Sequence, residues 1–268
     1  MRILRALLLA SLIPVVSCDG GRGQGVTVAG STSVQPFAEM VAEEFMTEHP
    51  GVEVLVQGGG STAGIQAVRE GAAEIGTVSR ELRGPEQDLY SIVMARDGIA
   101  VIVHPSNVID GLTREQIRAI FAGEVTDFSG VGGAKGPVRP VTREEGSGTR
   151  GAFQELVMEG QGITPEALVQ DSNGSMRELI ASDPGGIGYI SLGLVNGSVK
   201  ALEIDGVKAS HENARTGRYR YVRPFLFVLK AEPSGRAKEF IDYVLSERGQ
   251  GLLEAEGLIP ARQAGVPG

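Results

Sequence analysis

The chain has 268 residues, a formal net charge of −8 at pH 7 and 41% hydrophobic residues, a composition typical of an ordinary globular protein. The acidic balance argues against nucleic-acid binding, which depends on basic patches, and a mean hydropathy of +0.01 excludes a polytopic membrane protein. This length is sufficient for one large domain or for two lobes that each have a core.

The first residues are typical of a secretory leader. Arg2 and Arg5 precede an apolar run over residues 6–16, which is too short for a spanning helix of roughly 20 residues. The run ends in Val-Val-Ser-Cys, which resembles a bacterial lipobox, and Cys18 is the only cysteine. We therefore predict a lipoprotein signal peptide at residues 1–17, lipid attachment at Cys18 and a tether at 18–24. The alternative is an ordinary signal peptide with an incidental cysteine.

The mature chain alternates between predicted strands and predicted helices. The apolar runs predict strands over residues 26–29, 52–56, 73–78, 92–94, 98–103, 138–142, 185–190 and 225–229. The 3.6-residue periodicity and the capping signals predict helices over residues 34–45, 65–72, 113–121, 151–157, 175–182 and 235–245, and a further helix that begins at Thr164-Pro165-Glu166. This alternation indicates an α/β fold. No linker divides the chain cleanly, so any second domain is expected to be inserted rather than appended.

Three predicted strand-turn-helix units carry small hydroxyl residues and glycine at the turn. They contain Ser31, Thr32 and Ser33 in the first, Ser61 and Thr62 in the second, and Ser147, Gly148 and Thr149 in the third, which lies between Arg143 and Arg150. A glycine-rich turn at a helix start exposes backbone N–H groups that attract an anion. Each hydroxyl could instead be a simple helix N-cap. Because ligands of open α/β sheets bind at the carboxyl ends of strands, we expect the three turns to converge on one anion.

The sequence contains no pattern that favours nucleotide binding, a metal site or catalysis. Neither the Walker loop nor the dinucleotide fingerprint is present with its required spacing, and Gly146-Ser147-Gly148 is not a nucleophile elbow. The three histidines, His49, His104 and His211, do not form a pair with metal-ligand spacing. We therefore predict that the protein is not an enzyme and binds neither a metal nor another cofactor.

Six segments together carry a family resemblance: "AGSTSVQPFAE", "GGGSTAGIQAVREGAAEIGTVSREL", "DGIAVIVHP", "LTREQIRAIFAGEVTDF", "VTREEGSGTRGAF" and "GGIGYISLG". In this order they resemble the substrate-binding protein of the bacterial phosphate ABC transporter, the PstS-like family. The resemblance implies a two-lobed, type II periplasmic-binding fold, in which each lobe is a sheet flanked by helices and the ligand lies in the cleft. It implies lobe 1 at residues 25–98 and 225–268, and an inserted lobe 2 at residues 99–224, with crossings near 98–103 and 220–227.

The resemblance also implies a set of phosphate-binding residues. From lobe 1 these are Thr32, Ser33 and Ser61, and from lobe 2 Arg143, Ser147, Gly148 and Thr149. Ser31, Ser79, Arg80 and Asp97 are possible additional members. Some members of the family place an aspartate where this chain has Ser79-Arg80-Glu81. The acceptor of the phosphate proton is therefore not identified, and Asp97, Glu144 and Glu145 remain candidates, although a salt bridge is the simpler role for each.

These observations lead to one principal functional hypothesis and three alternatives. We expect a monomeric, lipid-anchored protein of the periplasm or cell surface, which captures inorganic phosphate and delivers it to an ABC permease. The first alternative is the binding of another tetrahedral oxyanion, such as sulfate or molybdate. A phosphatase on the same fold is the second, and an adhesion or sensor role is the third.

Overall fold

The computed structural model describes residues 25–261, and the predicted leader, Cys18 and the tether lie outside this range. The strands are β1 (Gly25–Gly30), β2 (Glu53–Gly58), β3 (Ile75–Val78), β4 (Tyr90–Val103), β5 (Gly111–Leu112), β6 (Arg139–Arg143), β7 (Leu168–Gln170), β8 (Gly186–Ser191), β9 (Lys200–Ala201), β10 (Glu203–Ile204), β11 (Val222–Leu229) and β12 (Ile259–Pro260). The helices are α1 (Gln35–Glu48), α2 (Ser61–Glu70), α3 (Arg114–Phe121), α4 (Gly148–Leu156), α5 (Asn173–Ser182), α6 (His211–Arg215), α7 (Gly235–Leu245) and α8 (Glu247–Ala255).

The main sheet has the strand order β2-β1-β3-β11-β4-β8-β6-β7. At one side β1 pairs in parallel with β2 and β3, and at the other β6 pairs in parallel with β7 and β8. Between these two parallel groups, β11 and β4 are antiparallel to each other and to their outer neighbours. The carboxyl ends of the parallel strands therefore carry the three predicted turns, since β1, β2 and β6 lead into them.

The long strand β4 connects the two halves of the sheet. Its first part pairs with β11 from Tyr90 to Gly98, and its second part pairs with β8 from Ile99 to Val103. The sequence predicted two shorter strands here. The structure forms one, because pairing with β11 continues across the polar stretch between them and supplies its backbone hydrogen bonds.

Two large hydrophobic cores define two lobes, and a smaller cluster packs α2 against β3 and β11. One core contains α1, α7 and α8 packed on β1, with Phe45 and Phe240 among its fully buried side chains. The other contains α3, α4 and α5 packed against the second part of β4 and β8, with Phe121, Phe153 and Tyr189 at its centre. The chain is thus a two-lobed α/β protein in which β4 and β11 pass between the lobes, which we call lobe 1 and lobe 2. The lobe boundaries given by the resemblance stay a prediction.

Several local predictions are confirmed, and one predicted helix is absent. Helix α7 has the predicted bounds, and Thr113 caps α3 through a reciprocal capping box with Gln116. The helix predicted from Thr164 does not form. The Thr164 hydroxyl instead donates to the Glu166 side chain, and the Thr164 N–H donates to the Phe121 carbonyl. The chain then enters β7. Tertiary pairing beside β6 therefore overrides the local helix-start signal.

None of the helices in residues 25–261 combines the length and the apolar character that a bilayer-spanning helix needs.

Candidate anion-binding site

The hydroxyls of the first turn do not cap the helix that follows it. Helix α1 has Val34 as its N-cap residue, and no side chain caps it. The Ser31 hydroxyl instead donates to Ser79 Oγ at 2.8 Å, at the end of β3. The N-cap interpretation therefore fails for this turn, and the Ser31 hydroxyl is directed toward the end of β3.

The second turn places Ser61 against the same strand end. Helix α2 begins at Ser61 after Gly60, whose φ of 92° is a backbone conformation that favours glycine. The Ser61 Oγ accepts a hydrogen bond from the Ser79 backbone N–H at 3.1 Å, and the two hydroxyl oxygens lie 3.4 Å apart. Lobe 1 thus brings Ser31, Ser61 and Ser79 together in one fully buried group.

In the third turn, one hydroxyl is a helix cap. Ser147 is the N-cap residue of α4, and its Oγ accepts a hydrogen bond from the Arg150 N–H at 3.2 Å. Helix α4 begins at Gly148, so its first N–H groups have no carbonyl partner within the helix. The cap fixes the helix start but leaves the Ser147 hydroxyl proton for another acceptor.

Arg143, at the end of β6, is held in place by hydrogen bonds from its Nε and Nη2 atoms. Its Nη2 donates to Thr32 Oγ1 at 3.1 Å and to the Asp171 carbonyl at 2.9 Å, and Glu144 accepts from both Nε and Nη2. The side chain is only 1% exposed, and Nη1 has no hydrogen-bond partner among residues 25–261. Because a buried unpaired donor of a charged group is costly, this nitrogen is available to a ligand that supplies an acceptor.

Contacts between hydroxyls and Asn173 join the two lobes. Ser33 Oγ and Thr149 Oγ1 are 2.7 Å apart, and Asn173 Nδ2 donates to Ser33 Oγ at 2.8 Å. The sequence analysis missed Asn173. Its signal is the segment Asp-Ser-Asn-Gly-Ser over residues 171–175, which is another turn with hydroxyls and glycine between a strand and a helix.

Arg223 of β11 supplies a second buried guanidinium beside that of Arg143, and the sequence analysis missed it. Its Nη1 donates to Thr149 Oγ1 at 2.9 Å and to the Ser79 carbonyl at 2.8 Å. Its Nη2 lies 3.1 Å from the Asp97 carboxylate, and both side chains are 1% exposed. The signal was a lone charge in an otherwise buried strand, since such a charge requires a partner.

The remaining candidates lie around this group. Arg80 is not part of it, because its guanidinium makes two hydrogen bonds to Glu86, whose pKa is lowered mainly by them. Arg150 donates to the Arg143 carbonyl and so braces the turn, whereas Glu145 is exposed to solvent. Asp97 is bound to Arg223 rather than to the hydroxyls. Burial raises the pKa of Asp97, and the nearby Arg223 opposes that shift.

These side chains form a polar group between the lobes, which we call the cleft cluster. Its members are Ser31, Thr32, Ser33, Ser61, Ser79, Arg143, Ser147, Thr149, Asn173 and Arg223. The cluster combines hydroxyl, amide and guanidinium donors with the N-terminus of α4. Such a set stabilises a dehydrated oxyanion, whose oxygens each require several donors. Within residues 25–261, no group of three or more His, Cys, Asp or Glu side chains could hold a metal ion.

Comparison with known proteins identifies relatives over nearly the whole chain. The model of the PBP superfamily domain matches residues 18–248. The phosphate-binding protein PstS of Bacillus subtilis (strain 168) is 31% identical, over 97% of this chain and 94% of its own.

Two solved structures extend the comparison to the fold. One is a Clostridium perfringens protein assigned as the substrate-binding protein of a phosphate ABC transporter and solved with bound phosphate, which is 42% identical with a TM-score of 0.84. The match covers 88% of this chain and 99% of that chain. An ABC-type phosphate transport receptor from Vibrio cholerae is 36% identical with a TM-score of 0.73, covering 87% and 99%.

The sequence identity spans nearly the whole chain, and the matched structures share its two-lobed fold. The chain therefore belongs to the PstS-like family of substrate-binding proteins within the PBP superfamily.

Proposed function

We propose that this protein binds inorganic phosphate between its two lobes and delivers it to an ABC permease. The observation that carries the proposal is Arg143, a buried guanidinium whose Nη1 has no partner among residues 25–261, set among hydroxyls from both lobes. The relatives named as phosphate-binding proteins, and the related structure with bound phosphate, support this choice of anion.

Phosphate-binding groups are proposed on both sides of the cleft. Lobe 1 supplies Thr32, Ser33 and Ser61, and lobe 2 supplies Arg143, Ser147, Thr149 and the backbone N–H of Gly148. The hydroxyls of Ser31 and Ser79 support the first set through their contacts with each other and with Ser61. A tetrahedral anion enclosed in this way replaces its lost water with fixed donors, which offsets the large cost of burying charge.

Isothermal titration calorimetry tests the choice of anion directly. We expect saturable binding of inorganic phosphate at one site per chain, without competition from sulfate or molybdate at equal concentration. Sulfate carries no proton near neutral pH, so competition titrations at two pH values separate the two anions. If sulfate binds as tightly as phosphate at both pH values, the site has a broader oxyanion specificity than we propose.

Binding without catalysis is the proposed activity. Apart from the Ser147 hydroxyl, which accepts from the Arg150 N–H, the hydroxyls of the cleft cluster make hydrogen bonds with one another, with Asn173 or with the guanidinium groups. Within residues 25–261, no histidine or carboxylate accepts a hydrogen bond from these hydroxyls, as a general base for a nucleophile would. Turnover of a phosphate ester that is lost in Ser147→Ala would contradict this proposal.

We propose attachment of the protein to the outer side of a membrane through lipid on Cys18. The motif Val-Val-Ser-Cys after a short apolar run supports this proposal. Cys18→Ser is expected to abolish incorporation of labelled fatty acid and to move the protein from the membrane fraction to the soluble fraction. Unchanged labelling of Cys18→Ser would contradict the anchor, and phosphate affinity of the purified protein should be the same in both forms.

An exposed ion pair between Arg83 and Glu155 is expected to contribute modestly to closure of the lobes. Arg83 donates to the Gly151 carbonyl at 3.0 Å and to Glu155 at 3.1 Å, both on α4, while half of its side chain is exposed. Exposed pairs contribute about 0.2–1 kcal/mol. Arg83→Ala should therefore weaken phosphate binding by roughly 1.5- to 5-fold, and less at high salt.

Arg69→Ala is the matched control for this prediction. Arg69 makes an exposed pair with Asp88 at 2.8 Å, but both residues belong to lobe 1. Its removal should leave the calorimetric Kd for phosphate unchanged. Equal effects of the two substitutions would show that Arg83 does not act across the cleft.

A further inference from the structure

Asp97 and Arg223 form an ion pair on the two strands that pass between the lobes. They are direct cross-strand neighbours in the register of β4 and β11. Their charged atoms are 3.1 Å apart, and each side chain is 1% exposed. A completely buried pair is weak evidence for stability, because desolvation consumes most of the attraction. Its position on the crossing strands suggests a role in ligand binding.

The Arg223 guanidinium contacts both lobes at once. Its Nη2 faces Asp97, and its Nη1 donates to the Ser79 carbonyl at 2.8 Å in lobe 1 and to Thr149 Oγ1 at 2.9 Å in lobe 2. Arginine presents its donors in a rigid planar fork, so the contact with Asp97 fixes the direction of Nη1. Thr149 is consequently held by a group that cannot accept a hydrogen bond in return.

This contact limits the acceptors to which the Thr149 hydroxyl can donate. Thr149 Oγ1 accepts from Arg223, and Ser33 Oγ accepts from Asn173 at 2.8 Å. The two hydroxyl oxygens lie 2.7 Å apart. One of these hydroxyls therefore donates its proton to the other, while each oxygen also accepts an N–H. An anion that replaces this mutual contact would receive both hydroxyl protons, because the two N–H donors cannot accept them. Arg223 and Asn173 thus favour the donor orientation that an oxyanion requires.

Asp97 balances the charge that this arrangement brings into the cleft. Burial lowers the pKa of Arg223, the Asp97 carboxylate opposes the shift, and the nearby positive charge of Arg143 adds to it. Without Asp97, two buried guanidinium groups would face each other with one fewer countercharge. The pair therefore supplies the donors of a second arginine at little net charge.

Resting on the proposed function, we propose that Asp97 and Arg223 act as a positioning pair for phosphate. Arg223 orients the Thr149 hydroxyl as a donor to the anion and links both lobes in the closed arrangement. Asp97 fixes the Arg223 guanidinium and neutralises it. Neither side chain has to touch phosphate itself, so their effect on affinity is expected to pass through Thr149.

A double-mutant cycle in phosphate affinity tests this proposal. Two backgrounds are compared by calorimetry, each with and without Thr149→Val. Arg223→Lys keeps the charge beside Asp97, but a single ammonium group cannot also hold Thr149 in the same geometry. Asp97→Asn/Arg223→Gln removes both charges together, so it leaves no unpaired buried charge and should fold. The melting temperature of each variant is measured alongside its Kd.

Coupling to Thr149 is the decisive readout. We expect each background and Thr149→Val alone to weaken phosphate binding by roughly tenfold, the scale of one hydrogen bond to a charged group. Adding Thr149→Val to either background should then cost less than about twofold. If the loss of affinity from Thr149→Val multiplies with the loss in both backgrounds, the proposal is overturned. Unchanged phosphate affinity in either background alone would overturn it as well. A purely structural pair would lower the melting temperature without this coupling.

Arg248→Gln is the control for loss of an arginine. Arg248 is 59% exposed on α8 and pairs with Glu44 and Glu48 away from the cleft cluster. Its Kd should equal that of the wild type, and Thr149→Val should retain its full effect in this background. A wild-type protein that fails to bind phosphate would contradict the proposed function itself, and this result would be seen before any variant is compared.

Discussion

Arg143→Ala is expected to weaken phosphate binding by roughly 30- to 4,000-fold. The substitution removes the buried guanidinium whose Nη1 has no partner among residues 25–261 and whose Nη2 binds Thr32 across the cleft. Truncating one partner of a buried, hydrogen-bonded charge pair costs about 2–5 kcal/mol, and each 1.4 kcal/mol corresponds to about tenfold in Kd. Calorimetric titration of the purified variant with phosphate measures the loss.

The same variant must be shown to fold, because Arg143 also binds the Gln170 and Asp171 carbonyls. Circular dichroism and a thermal melt give this control. Arg248→Ala is the matched substitution, since it removes an exposed arginine of lobe 1 without touching the cleft cluster. A folded Arg143→Ala protein with near-wild-type affinity would show that the anion is bound elsewhere.

Gly148→Ala is expected to leave the fold intact and to impair closure of the cleft. A Cβ at this position would overlap Ser61 Oγ and lie 2.5 Å from Ser79 Oγ, and both serines belong to the opposite lobe. Within its own lobe, Gly148 is the first residue of α4, where alanine is tolerated or favoured. Overpacking of this kind costs about 1–3 kcal/mol, so the phosphate Kd should rise roughly 5- to 150-fold.

The control for this substitution is Gly251→Ala. Gly251 lies in helix α8, and a Cβ there would meet nothing within 4 Å. Both variants should melt at or above the wild-type temperature, whereas only Gly148→Ala should lose affinity. Small-angle scattering with saturating phosphate gives a second readout, since an unclosed cleft increases the radius of gyration. Wild-type affinity in Gly148→Ala would mean that Ser61 and Ser79 do not approach α4 when phosphate binds.

The amino-acid sequence alone was enough to predict the α/β class, the family and the turns that carry the small hydroxyls. These features depend on local signals, namely the alternation of apolar periodicities and the glycine and hydroxyl residues between a strand and a helix. The helix α7 and the capping box of Thr113 belong to the same class, because neighbours within four residues determine them. Features that depend on residues close together in the sequence can therefore be predicted from short segments.

The tertiary structure alone decided what each hydroxyl and each arginine does. Ser147 caps its helix whereas Ser33 contacts Thr149, 116 residues away, although both follow a strand. Arg80 looked suited to the site but is held by Glu86, only six residues along the chain. Arg223 reaches the cleft because the register of β11 on β4 sets it opposite Asp97. That register depends on the packing of both cores, so no local sequence pattern specifies it.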